Sequence, residues 1–273
     1  MKIVTIARLL LIFLVISSMS VKAAEPHTFT FGFVPQQAAS KLARLWSPLL
    51  SYIEKEADIK LIFDTAPNIP KFEKRLAKGD YDFAYMNPYH YTVYHEVSGY
   101  TAIVKQKDKK ITGIVVVHKD SQLNSISDLQ LKPMAFPAPA AFAATVLPTA
   151  TFSKLGISVV PSYVKSHDSV YRAVAKKHYI AGGGIERTFN SVEPSIRDQL
   201  KILWKTEKFT PHAFAVLPHV PMNVVDLVSS AMINMENSES TRSILSSLNM
   251  KGFSSATDKD WDDVRRLQIN LLR

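Results

Sequence analysis

Short apolar runs of strand length alternate with segments whose apolar residues recur at steps of three and four, and that alternation leaves few folds open. Residues 29–34 (FTFGFV) read as a buried strand closed by Pro35-Gln36-Gln37. Leu42, Leu45, Trp46, Leu49, Leu50 and Ile53 then mark one face of a helix, which Pro48 is expected to kink or restart. Residues 59–64 form the next strand, Asn68 caps a helix over Phe72 and Leu76, and Gly79 ends it. Residues 81–86 (YDFAYM) are strand again, and Asn87-Pro88 opens another helix. Such a succession predicts an α/β fold with a largely parallel sheet.

A second series starts at the β-branched run 111–117 (ITGIVVV). It continues through a helical turn at Ser127-Asp128, a strand at 133–136, an Ala-rich helix from about Ala138 and a strand at 159–164. A helix at 166–177, a strand at 179–183, a helix at 190–199 and a strand at 201–204 complete it. Residues 213–217 are apolar and suited to return the chain to the first lobe, and 222–273 read as helical. The expected layout is two α/β lobes, 24–117 with 214–273 and 118–213, joined by crossings near 115–119 and 212–218. A ligand cleft between them would close by hinge motion.

Composition narrows the functional classes. The 273 residues contain no Cys, which removes disulfides, Cys-ligated metals and cysteine nucleophiles. Lys2 and Arg8, the apolar run 9–16 and the small-residue exit to Ala23 make a secretory signal, too short to span a bilayer, with cleavage expected after Ala23. Without a cysteine there, a lipoprotein anchor is impossible. Loss of Lys2, Arg8 and Lys22 lowers the formal charge from +9 to +6. The charge run 105–110 (KQKDKK) reads as a solvated hairpin tip, and export with a dispersed charge argues against nucleic acid. No nucleophile elbow is present, and His90, His95 and Glu96 lack the helical spacing of a zinc motif, so neither a reaction, a metal nor a cofactor is expected. Asp80 and Asp82 read as solvated turn carboxylates.

In order and spacing, FGFVPQQ, WSPLLSYIEKE, FEKRLAKGDYDFAYMNPYHY, HKDSQLNSISDLQ, FPAPAAFAATVLP, SHDSVYRAVAKKHYIAGGGIERTF and GFSSATDKDWDDVRRL together resemble the periplasmic phosphate/phosphite/phosphonate-binding proteins of ABC importers, the PhnD-type family. The resemblance covers nearly the whole exported chain. It implies a type II periplasmic-binding-protein fold and an oxyanion held between the lobes. Carried over by segment, it implies ligand contacts from Asn87 and Tyr89 after the YDFAYM strand, from His167 beside Asp168, and from Glu186 with Arg187 next to it. In phosphonate binders that acid can hold an amino group of the ligand. Where the family has a hydroxyl-rich turn, this chain has Ala138-Pro139-Ala140-Ala141-Phe142, with no hydroxyl before Thr145. Anion recognition there would fall to the backbone N–H groups of Ala140, Ala141 and Phe142 at a helix start.

Each candidate also has a plainer role. Asn87 and His167-Asp168 could cap helices, Glu186-Arg187 could form a surface ion pair, and Gly182-Gly183-Gly184 could make a tight turn or admit a ligand to the backbone. The reading reached is a non-enzymatic, monomeric periplasmic solute-binding protein that captures a small anion and delivers it to an inner-membrane ABC permease. Two alternatives stand beside it. One is a sensing protein with a non-phosphonate ligand that signals to a membrane histidine kinase, and the other is an exported enzyme of the same fold.

Overall fold

In β1 (Thr28–Phe33) the alternating residues Phe29, Phe31 and Phe33 are buried, as period-two side-chain placement requires. Their rings pack against Phe83 and Trp46, with the Phe33 and Trp46 rings 4.8 Å apart. The computed structural model describes residues 27–272, so the expected leader, 1–23, lies outside the described residues. β1 pairs in parallel with β2 (Lys60–Thr65) and with β3 (Phe83–Met86). Asp82 ties this arrangement together: its Oδ2 accepts the Thr30 N–H at 2.6 Å and the Thr30 hydroxyl at 2.8 Å. That carboxylate is therefore built into the sheet, and is not simply solvated.

α1 (Ala39–Ala57) covers these strands with Leu42, Trp46, Leu49, Leu50 and Ile53. It runs unbroken through Pro48, contrary to the expected restart. Pro48 and Arg44 both lie on the exposed face, where water can satisfy the Arg44 carbonyl that proline leaves without a donor. α2 (Ile69–Lys78) begins at Asn68, whose side chain accepts the Lys71 N–H, and ends at Gly79 in the left-handed region. α3 (Pro88–Ser98) begins at Asn87 in the same way.

The first sheet has the order β11-β4-β10-β3-β1-β2, with β4 (Thr101–Gln106), β10 (Ala213–Val216) and β11 (Phe253–Ser255) antiparallel to their neighbours. β11 sits inside the tail expected to be helical throughout. The rest of that tail is α8 (Met222–Asn234), α9 (Glu239–Ser247) and the single turn α10 (Asp262–Arg265).

The second sheet has the order β7-β6-β8-β5-β9. It comprises β5 (Ile111–His118), β6 (Pro133–Phe136), β7 (Val160–Tyr163), β8 (Ala181–Ile185) and β9 (Leu200–Phe209). In β5, Ile114 and Val116 pack on one face while Val115 and Val117 pack on the other, so the continuous apolar run reflects a strand covered on both sides. α4 (Leu147–Lys154) lies over one face and α5 (His167–Ala175) over the other. In place of one helix at 190–199 there are two short ones, α6 (Glu186–Asn190) and α7 (Pro194–Arg197).

Because β5 pairs between β8 and β9, it belongs to the second sheet and not to the end of the first lobe. The first crossing accordingly lies at residues 107–110, and KQKDKK runs from the end of β4 into that crossing instead of forming a hairpin tip. β10 is in the first sheet, which puts the second crossing at 210–212.

Candidate functional site

Three segments of the first lobe end against the second. Gln36 and Gln37 follow β1, Asn87 follows β3, and His212 lies in the second crossing. The first two occupy the carboxyl ends of parallel strands, where α/β sheets present their ligands. Asn87 serves two purposes: its Oδ1 accepts the His90 N–H at 2.8 Å, while Nδ2 donates to the Ala140 carbonyl across the cleft at 3.3 Å.

From the second lobe, the first turn of α6, directly after β8, delivers Arg187. Its guanidinium donates to Gln36 Oε1 and lies 5.9 Å from the centre of the Tyr85 ring, a cation–π placement. That contact fixes the Gln36 amide, because the oxygen faces Arg187 and Nε2 is therefore the donor toward His212 Nε2, 2.9 Å away. His212 must then offer a lone pair at Nε2 and be neutral; its ring stacks on Tyr85 at 4.9 Å. The backbone carbonyl of Gln36 accepts the His167 N–H at 3.0 Å. His167 opens α5 behind the capping residue Ser166, and its buried Nδ1 has no hydrogen-bond partner among the described residues.

The wall opposite is residues 138–146. No α-helix begins at Ala138; the chain makes a wide turn of helix over Phe142–Val146 and only then enters α4. Ala141 N–H is spent on the Ala138 carbonyl at 3.3 Å, as is the Thr145 hydroxyl at 2.8 Å. The N–H groups left by helix geometry at this end begin with Phe142. The wide turn sits hard on the sheet. A Cβ at Gly113 would lie 1.9 Å from the Ala143 carbonyl oxygen, and one at Gly183 would lie 1.9 Å from that of Ala144. Gly182 and Gly184 are likewise pressed by Val170 and Tyr171 from the other side. The three glycines thus admit helices on both faces of β8, not a ligand or a tight turn.

Two neighbouring spaces lie between the lobes, sharing Ile111, Ile185 and His212 in their walls. The inner one, between Gln36, Ile69, Asn87, Ala141–Ala144 and His167, leaves about 10 Å³ for the centres of water molecules. The outer one, between Tyr85, Lys109, Lys110, Glu186, Arg187 and His212, leaves about 30 Å³. These are volumes for a few waters at most, so the lobes are closed tightly. Several contacts span them: Lys41 Nζ to the Ser191 carbonyl at 2.6 Å, Gln37 Nε2 to Ser191 Oγ at 3.1 Å, and Lys41 to Asp168 at 3.9 Å.

Burial, and secondarily the charge on Arg187, pulls the His167 imidazole down to about 3. His212 also lies well below its ordinary range, through burial first and then the charges of Arg187, His90 and His167. An unfolded imidazole takes up its proton near pH 6.5, whereas folded His167 does so only near 3. The unfolded state therefore binds more protons in that window, and this contribution to stability is full above pH 6.5 and declines as the pH falls toward 3. Between pH 7 and 5 the decline for His167 alone is about 2 kcal/mol. Denaturant unfolding at both pH values should find His167→Gln losing less stability on acidification than the parent by about that amount; parallel losses would mean the imidazole is not held neutral.

Of the residues expected at the site, Asn87, Ala141, Phe142 and His167 line the inner space, with Ala140 held at its edge by Asn87. Glu186 and Arg187 line the outer one. Asp168 faces Lys41 and Gln37 in the contacts between lobes. Glu186 is ion-paired with Lys205 of β9, so it is not poised toward an amino group. Tyr89 is elsewhere: it is buried on the far side of α3, and its hydroxyl accepts the Leu272 N–H at 2.9 Å. Residues 88–94 are all buried, so no polar face betrays which side of that helix meets the cleft. Gln36, Tyr85, Lys109, Lys110 and His212 were missed. Gln36 had a usable signal, its place just after a buried strand; His212 and the lysines sit in crossings that carry no periodicity.

A family model for the periplasmic substrate-binding proteins of ABC phosphonate transporters matches residues 31–261. The phosphate-import protein PhnD of Mycolicibacterium smegmatis is 22% identical over 238 residues, covering 79% of this chain and 74% of that one. A binding-protein component of an ABC phosphonate transporter from Pseudomonas aeruginosa superposes with a TM-score of 0.82 at 14% identity, over 89% of this chain and 86% of its own. PhnD1 of Prochlorococcus marinus, solved with methylphosphonate, gives 0.81 at 17% identity, over 89% and 97%. At such identities the structures speak for the fold, the two-lobe periplasmic-binding-protein architecture. With the family model spanning both lobes and the cleft between them, the chain belongs to the periplasmic substrate-binding proteins of ABC phosphonate transporters.

Proposed function

We propose that the chain captures a phosphate- or phosphonate-type oxyanion between its lobes on Arg187 and presents the closed form to an ABC permease. The lobes would be residues 27–110 with 210–272, and 111–209, moving about the two crossings, in a chain exported by its first 23 residues. The observation that carries this reading is Arg187 itself. It lies in the cleft with no carboxylate within 4.0 Å among the described residues, and its side-chain hydrogen-bond partner is the neutral amide oxygen of Gln36. That oxygen stands where an anion's oxygen would bind, on a guanidinium suited to take two at once. Asn87, Gln36 and the N–H groups from Phe142 onward supply neutral donors, and the neutral histidines add hydrogen bonds without competing charge.

A ligand stabilises closure to the extent that it binds the closed state better than the open one. The bridges from Lys41 and Gln37 to Ser191 and Asp168, in which Gln37 and Asp168 are buried, favour the closed state by themselves. In the closed form the Gln36 amide oxygen occupies the guanidinium, so an anion bound there would displace it from Arg187.

Thermal unfolding of residues 24–273 against phosphate, phosphite, methylphosphonate, sulfate, carboxylates and amino acids tests the proposal. At one hundred times Kd, a specific ligand adds about 2.7 kcal/mol, which raises the midpoint by roughly 5–10 °C. A midpoint moved by none of the phosphorus oxyanions and by another compound would overturn it.

A further inference from the structure

Charges around the cleft carry information about what the ligand must lack. Arg187, Lys109 and Lys110 line the outer space. Lys109 has no ion-pair partner within 4.0 Å among the described residues, and Lys110 is shared between Thr210 and, at 3.6 Å, Asp263. Among the described residues that line either space, the one carboxylate is that of Glu186. It is occupied by Lys205, which reaches it from β9. Asp168 nearby faces Lys41. The neutral ring of His212 lines both spaces, and that of His167 lines the inner one.

A ligand carrying an ammonium group beside its anion would bring that charge into a closed space next to Arg187, with no carboxylate available to receive it. Like charges brought together in a closing interface are strongly disfavoured, and a desolvated ammonium needs a partner of its own. An alkyl group or a second anionic group meets neither obstacle. We propose that this cleft selects anions bearing no cationic group, and that Lys205, which need not touch the ligand, sets the selection by holding Glu186. This deepens the reading given above and rests on it. Lys205 is a specificity-determining residue that acts through Glu186; its side chain is about half exposed (53%), so the fold does not depend on it.

The test compares 2-aminoethylphosphonate with n-propylphosphonate, which has the same length and no charge on its tail, and with methylphosphonate, by calorimetric titration of the mature protein. In the parent, n-propylphosphonate is expected to bind at least roughly 30-fold more tightly than 2-aminoethylphosphonate. Lys205→Met frees Glu186 and should tighten 2-aminoethylphosphonate binding roughly tenfold, while methylphosphonate changes less than about threefold. Lys205→Arg, which keeps the ion pair, should behave as the parent does. Equal affinities for the propyl and aminoethyl compounds in the parent would overturn the proposal. So would equal weakness of both beside methylphosphonate, which would make the selection one of size. A ratio unmoved by Lys205→Met would remove the role of Lys205. Failure of all three phosphonates to bind would instead bring down the oxyanion reading beneath it.

Discussion

Arg187→Gln should lower affinity for a phosphorus oxyanion by at least about 100-fold, equivalent to about 3 kcal/mol, while leaving the unliganded protein folded. The affinity loss follows from chemistry: a guanidinium in a closed cleft makes charge-assisted, paired hydrogen bonds to an anion, and an amide supplies one neutral donor in their place. The expectation for folding follows from contacts. Arg187 is half-buried, makes no ion pair within 4.0 Å among the described residues, and bonds through its side chain to Gln36, on the opposite lobe. Removing it loosens the closed state more than it weakens either lobe. Arg187→Lys should fall between parent and Arg187→Gln, since a point charge keeps the attraction and loses the planar fork. Calorimetric titration with methylphosphonate, beside thermal unfolding without ligand, separates the two effects. Retention of affinity within about threefold in Arg187→Gln would place the anion somewhere else in the cleft.

Gly183→Ala is the substitution expected to do most damage to the scaffold. Its Cβ would fall 1.9 Å from the Ala144 carbonyl oxygen and 2.7 Å from the Phe136 ring. Both neighbours are buried, and a backbone carbonyl cannot rotate away as a flexible side chain can. Overpacking of this kind costs about 3 kcal/mol, a midpoint lowered by roughly 6–12 °C. The strain would not stay local. Ala144 belongs to the wide turn 142–146, and that turn is a wall of the inner space, so what folds should also bind oxyanions poorly. Thermal unfolding and titration of the same preparation check both parts. A variant with the parent's midpoint and affinity would show that the turn can lift off β8 at no cost.

Much of this architecture could be read one residue at a time. Residues 114–117 are apolar without a break, the mark of a strand covered on both faces, and α4 and α5 do cover them. Asn68 and Asn87 announced the helix starts that they cap. The resemblance in order and spacing along the chain named the family that the match over residues 31–261 bears out. Other features were not legible. Pro48 breaks no helix because the carbonyl it orphans is exposed, a fact of tertiary placement. A crossing was expected within 115–119, yet an apolar strand carries no mark of the sheet it will join; only its pairing with β8 and β9 decides that.

The same division runs through the site. Periodicities of 2 and 3.6 act over a few residues, so β1, β3 and the starts of α3 and α5 at the cleft were legible locally, whereas the wide turn that stands in place of a helix from Ala138 was not. Nor was it legible which side chains meet there. Gln36 reaches Arg187 across 151 positions and His212 across 176, and Asn87 reaches Ala140 across 53. Tyr89, two residues from Asn87, points to the C-terminal segment instead. Such meetings depend on strand order in two sheets and on how one lobe closes over the other. Local pattern thus yields most of the strands and helices and, in their order along the chain, the family; that Arg187 faces the cleft while Lys205 holds Glu186 depends on the fold, because long-range contacts are settled by packing and not by neighbours along the chain.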